Sequence, residues 1–161
     1  MADIVDKQTR SRMMAGIKGK DTRPELVLRK ALHARGFRFR LHAKNVPGRP
    51  DLKLAKYQAV VFVHGCFWHH HPDCRFAATP STRPDFWLGK FAANIARDGA
   101  VLEVLLDRGW RVATVWECAL RKPDTAQVTV GRVSRWLLSD SRRLEVGERE
   151  AQPDDVDGQS H

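Results

Sequence analysis

Apolar positions recur along this chain in two periods, and the switches between them mark out its elements. From Thr22 to Gly36, Leu26, Leu28, Ala31 and Leu32 predict a helix, opened by Thr22-Arg23-Pro24-Glu25 in the form of a capping box with proline in the first turn. Phe37, Phe39 and Leu41 then alternate with Arg38, Arg40 and His42, the period of a half-buried strand whose other face is basic. After a turn over Asn45 to Pro50, Asp51 to Ala55 and Ala59 to Val63 predict a hairpin; symmetric about Tyr57, it sets Asp51 opposite Val63. A helix is expected from Pro84 or Asp85, bent at Gly99 and continued to Arg108. Trp110 to Trp116 follows as a strand, and a helical crossover makes it parallel to an earlier one. Asp124 and Gln127 open a last helix through Trp136 and Leu137. This order predicts an α/β fold with a central mixed β-sheet flanked by helices, in a single domain over residues 1–138.

The ends depart from this pattern. Residues 1–20 are polar and basic, with a short helical stretch from about Thr9 to Ile17, and read as an N-terminal arm. From Ser139 the periodicity stops, and residues 139–161 read as an acidic, disordered tail. The chain's 28 Lys and Arg outnumber its 19 Asp and Glu, for a formal charge of +9. Six of the carboxylates lie in residues 145–161 beside Arg149 alone, so residues 1–144 carry +14, from 27 basic and 13 acidic side chains. A body this basic fits a polyanion, nucleic acid above all. No apolar run reaches membrane-spanning length and the N-terminus lacks a signal-type apolar region, which predicts a cytoplasmic protein.

The chemistry concentrates in Gly65-Cys66-Phe67-Trp68-His69-His70-His71-Pro72-Asp73-Cys74, which holds two of the three cysteines and three consecutive histidines. With Cys118, at the end of the strand-like run, Cys66, His71 and Cys74 have the types and separations of a closed, structural zinc site; His70 is the alternative to His71. Buried thiols beside a surface histidine run are the plainer alternative. Asp51, at the entry of a hairpin strand, is placed to hold magnesium with a strand-end carbonyl such as that of Val63. The other option is an aspartate that bonds its own turn. His69 is a candidate general base, and His64 a candidate to assist or to bind phosphate. Glu25 has two readings, a helix cap or a carboxylate that faces a metal-bound water or orients His69 near a phosphate.

Taken together, Pro47-Gly48-Arg49-Pro50-Asp51, Gly65-Cys66-Phe67-Trp68-His69, Trp110-Arg111-Val112 and Trp116-Glu117-Cys118 resemble the very-short-patch mismatch repair endonucleases. Thr9-Arg10-Ser11, Met13-Met14 and Asp21-Thr22 with Glu25 are similar to that family's N-terminal region, and the likeness runs from about residue 3 to 138. The resemblance implies a restriction-endonuclease-like fold and a magnesium-dependent nick 5' of the thymine of T:G mismatches left by 5-methylcytosine deamination. It implies magnesium on Asp51 and the carbonyl of Val63, His69 as base supported by Glu25 and His64, and structural zinc on Cys66, His71, Cys74 and Cys118. It makes Phe67, Trp68 and Trp87 an aromatic wedge in the duplex, brings Met14 in from the other groove, and gives Lys90 and Asn94 contacts to the mispaired bases. Trp87 also fits a purely core role, beside Phe86, Phe91 and Ile95. In this chain Pro72-Asp73 lengthens the interval before Cys74, and Val63 stands where some relatives have threonine, a change that a backbone ligand survives.

Two other functions fit parts of the pattern: a non-catalytic zinc-bearing module that binds distorted DNA, and a restriction endonuclease that cuts intact sites. The partner expected is double-stranded DNA with a T:G mismatch, together with repair-pathway proteins. An asymmetric lesion removes the symmetry reason for a dimer, so a monomer is expected.

Overall fold

The structure, a computed structural model, describes residues 21–153. The expected arm over residues 1–20, Met14 included, and residues 154–161 lie outside them. Five strands form one mixed sheet in the order β1 (Arg40–Leu41), β2 (Leu52–Leu54), β3 (Ala59–His64), β4 (Arg111–Trp116), β5 (Arg143–Val146). The pairs β1/β2 and β2/β3 are antiparallel, and β3/β4 and β4/β5 parallel. Among the described residues three helices flank the sheet: α1 (Arg23–Ala34), α2 (Pro84–Asp107) and α3 (Pro123–Leu137). The α/β class and the mixed sheet agree with the sequence pattern, as does the parallel crossover from β3 through α2 to β4.

Strand alternation assigns the helices to faces. Leu52, Leu54, Ala59, Val61, Ala113 and Val115 pack with Leu28 and Leu32 of α1 and with Val130, Val133 and Trp136 of α3. The intervening residues Val60, Phe62 and Val112 meet Val101, Leu102 and Leu105 of α2. Residues two apart on a strand share a face, so His64 continues the series 60, 62 on the α2 side. The loop before β2 is pressed against this layer at Gly48, where φ is +80° and a Cβ would lie 2.4 Å from Val101 Cγ1.

Four local expectations are corrected. The strand expected from Phe37 is reduced to Arg40–Leu41: Phe37 turns into the core under α1. The hairpin register is offset by one residue, with Leu52 opposite Val61, because the connection is a 3-10 turn over Ala55–Tyr57 closed by Gln58 in the left-handed region. Helix α2 runs unbroken through Gly99. Residues 139–151, expected in a disordered tail, form β5 and a 3-10 turn, and Val146 and Ala151 are buried against Ala119. Arg143 and Glu145 are exposed on a strand only four residues long, so hydrophobic period gives little warning of it. Among the described residues no helix is long and apolar enough to cross a membrane.

Candidate active site and Cys/His cluster

The histidine run is divided by a single backbone turn. The amide of His70 donates to the Phe67 carbonyl and that of His71 to Cys66, while His70 itself sits at φ +47°. These are the paired closures of a Schellman motif, with histidine in the left-handed position usually filled by glycine. The turn sends the three rings in three directions. His69 Nδ1 lies 2.6 Å from Asp98 Oδ2 on α2. The His70 ring stacks on Phe91 at 4.5 Å. His71 stacks on Trp116 at 4.1 Å and points Nδ1 at Cys118 Sγ, 3.5 Å away, and Cys66 Sγ, 3.7 Å away.

Cys66, His71, Cys74 and Cys118 thus offer three sulfurs and one imidazole nitrogen, all within 4.8 Å of one another. The set includes His71, and His70 is taken up by Phe91. Cys118 is held well below the ordinary thiol range, at about 6, chiefly by the hydrogen bond from Cys66 and also by the amide of Glu148. Cys66, which gives that hydrogen bond and is buried, is pushed up; burial raises Cys74 too. One thiolate thus forms readily, and a soft divalent cation would complete the others.

A second group lies at the C-terminal end of β3. The His64 and His69 rings stack face to face at 3.8 Å. Burial, then the neighbouring His69, pushes His64 down to about 3, so its ring is neutral near pH 7. With Nδ1 of His69 engaged by Asp98, Nε2 is the nitrogen left to exchange a proton with a ligand.

Asp51 stands across the same cavity. Its Oδ2 accepts a hydrogen bond from the Val63 amide at 2.7 Å, so the two residues meet despite the shifted register. Burial is the main cause that raises the Asp51 carboxyl, to about 7, and the nearby charge of Glu25 adds to it. Glu25, only 2% exposed, takes Arg29 Nη1 at 2.7 Å and His42 Nε2 at 3.0 Å. It also accepts the Asp21 amide at 3.3 Å, whereas Thr22 makes no side-chain cap bond. The expected capping box is therefore not formed, and the Glu25 carboxylate is turned toward Asp51 and His42. A cavity of about 980 Å³ between α2 and the sheet is lined by Glu25, Asp51, Val63, His64, Trp68, His69, Asn94 and Asp98.

Phe67, Trp68 and Trp87 share one aromatic cluster, with ring centroids 5.1–6.1 Å apart. Trp68 is 8% exposed, while Phe67 and Trp87 are half-buried. Lys90 and Asn94 are one turn apart on α2, and Asn94 Nδ2 donates to the Trp68 carbonyl at 2.8 Å. That bond ties the aromatic loop to the helix. Two site residues escape the sequence reading. Asp98 continues the spacing of Lys90 and Asn94 by one further turn, a signal the helical period carries; His42 reads in sequence only as the polar side of a strand.

Comparison with known proteins finds similarity over most of the chain. The family model described as DNA mismatch endonuclease Vsr matches residues 2–75. The chain is 40% identical over 148 residues to the DNA mismatch endonuclease Vsr of Escherichia coli K12, an alignment that covers 91% of this chain and 94% of that one. It is 46% identical over 120 residues to the type II nicking enzyme V.XorIIP of Xanthomonas oryzae pv. oryzae, covering 74% and 88%. Against the type II nicking enzyme V.NmeAIP of Neisseria meningitidis the figures are 40% over 135 residues, 84% and 96%.

Proposed function

Because the chain belongs to the Vsr family of DNA mismatch endonucleases, we propose that it nicks double-stranded DNA 5' of the thymine in T:G mismatches left by 5-methylcytosine deamination. The hydrolysis is magnesium-dependent, within a restriction-endonuclease-like fold. The observation that carries this reading is the convergence of Asp51, Val63, His64 and His69 with Asp98 on one open cavity. A raised, half-buried carboxyl beside a second buried carboxylate is a place that a divalent cation would relieve, so the residues fit the metal.

Asp51 and the carbonyl of Val63 would hold magnesium, which when bound supplies stabilisation of the charge that builds on the phosphate. Asp98 fixes the His69 ring, and His69 Nε2 takes the proton of the attacking water. His64, neutral and stacked on His69, orients that ring and offers a hydrogen bond without adding charge. Glu25 supports the metal-side carboxylate. Cys66, His71, Cys74 and Cys118 suit tetrahedral zinc in donor type and spacing, a structural ion that pins the loop carrying Phe67 to His69.

Phe67, Trp68 and Trp87 form the wedge, with Met14 from the N-terminal arm, and Lys90 and Asn94 read the mispair. The wedge opens a mismatched step more easily than a paired one. Residues 1–20 serve as the DNA-binding arm of a single endonuclease domain that acts as a monomer in the cytoplasm. The test is nicking of T:G and T:A duplexes of identical sequence, with magnesium present or omitted. Magnesium-dependent nicking of T:G alone, lost in Asp51→Ala with zinc content retained, is expected. Equal cutting of both duplexes would reject mismatch specificity, and uncut T:G DNA would leave the zinc-bearing binding module as the better reading.

A further inference from the structure

Glu25 is a carboxylate at 2% exposure, and a buried charge of this kind persists only with well-placed partners. One of them is His42, whose Nε2 lies 3.0 and 3.2 Å from the two Glu25 oxygens and 4.0 Å from Asp51 Oδ1. The backbone of His42 is engaged as well. It sits at φ +48°, a conformation that a residue of its size enters at a cost, and its amide donates to the Asp51 carbonyl at 3.1 Å. One residue therefore grips the main chain of Asp51 and the side chain of Glu25 together, and spans from the start of β2 to the first turn of α1.

We propose that His42 is a positioning residue for divalent-cation binding: its Nε2–H holds the Glu25 carboxylate beside Asp51, in the geometry that the cation meets. The inference rests on the assignment of the cation to Asp51. Arg29 supports Glu25 from the far side, as an i,i+4 partner on α1 that also bonds Asp21 at 2.7 Å. Arg29 neutralises Glu25 and bonds Asp21, whereas His42 joins the Glu25 side chain to the main chain of Asp51. A partner of this kind acts through the ligand, and its loss typically weakens metal affinity by about 10–100-fold.

Two substitutions separate side chain from backbone. His42→Asn tolerates the left-handed conformation and keeps the amide bond to Asp51, but is too short to reach Glu25. His42→Gln carries a donor of nearly the original reach. The readouts are Mn²⁺ affinity, followed by the electron paramagnetic resonance of the free ion, and the magnesium concentration for half-maximal nicking. DNA binding without added magnesium and the melting temperature serve as controls. The inference expects His42→Asn to weaken Mn²⁺ binding and raise the magnesium requirement about tenfold or more, with DNA binding unchanged, and His42→Gln to recover most of the loss. It is overturned if His42→Asn binds Mn²⁺ as the parent does, or if His42→Gln is the worse of the two, which would assign the role to the backbone. A parent protein that binds Mn²⁺ at Asp51 without nicking DNA would count against the nuclease reading, while the Mn²⁺ affinities of the variants still decide the role of His42.

Discussion

Asp51→Asn should abolish nicking and at the same time stabilise the magnesium-free protein. In the folded chain this carboxyl is moved from its ordinary 3.8 to about 7, mainly by burial, with Glu25 adding to the rise and the Val63 amide opposing it. The folded state therefore holds the Asp51 proton more tightly than the unfolded state does. Relative to an uncharged residue, ionised Asp51 brings a penalty that is absent below the unfolded value, grows between pH 4 and 7, and is complete above that. At 1.36 kcal/mol per tenfold change in proton affinity the penalty has a ceiling of about 4 kcal/mol. The side chain is 21% exposed, so water screens part of this, and about 2–4 kcal/mol is expected. Asparagine keeps an oxygen for the Val63 amide and removes the charge. For a chain of this size the gain corresponds to roughly 5–15 °C in melting temperature.

The assay is calorimetric or circular-dichroism melting of parent and variant near pH 7.5 and near pH 4, with zinc retained and no magnesium added, then again with magnesium in excess. The variant should melt higher near pH 7.5, the difference should close near pH 4, and magnesium should narrow it by binding only the parent. A variant that melts no higher than the parent near pH 7.5, or one whose advantage does not change with pH, would refute the claim that Asp51 is electrostatically frustrated in the absence of a cation.

Other substitutions probe the remaining parts. Asp98→Asn should lower the single-turnover nicking rate by about a hundredfold or more and leave DNA affinity unchanged, since it removes the charge that holds the His69 tautomer and stabilises the protonated ring without touching the basic surface. If the cluster holds the proposed zinc, Cys74→Ser should reduce bound zinc below one equivalent by elemental analysis and lower the melting temperature by several degrees, about 1–3 kcal/mol, because the ion would lose one of its four ligands. Trp68→Ala should cost about 3–5 kcal/mol in urea denaturation, because Trp68 is buried; Trp87→Ala should cost less and show chiefly as a fallen preference for T:G over T:A duplexes.

Much of this arrangement is legible in the sequence, for reasons that particular residues make plain. Strand Ala59–His64 is covered on both faces and so reads as an unbroken apolar run, while helices such as Arg23–Ala34 bury one face and carry a period. Cys66, His71, Cys74 and Cys118 stand out because thiols and imidazoles are rare and their spacing is short. What period does not record is side-chain direction. Asp98 lies on a helix in line with Lys90 and Asn94, but its pairing with His69 depends on the Schellman turn at His70. His42 escapes for the same reason, since its left-handed backbone turns a strand-like polar position back toward Glu25. Strand β5 is missed because its exposed residues are charged and its buried ones too few to set a period.

The late strand has a consequence for how the enzyme comes into being. Beyond β5, the Glu148 amide donates to Cys118 Sγ, Arg75 reaches the Glu148 carboxylate, and His71 packs against Gly147, where a Cβ would lie 2.7 Å from the ring. The Cys/His cluster next to His69 is thus closed by contacts from Gly147 and Glu148. During synthesis the helices and the first four strands emerge while this closing segment is still being made. A chain interrupted before β5 would carry Asp51, His64 and His69 without the contacts that close the Cys/His cluster.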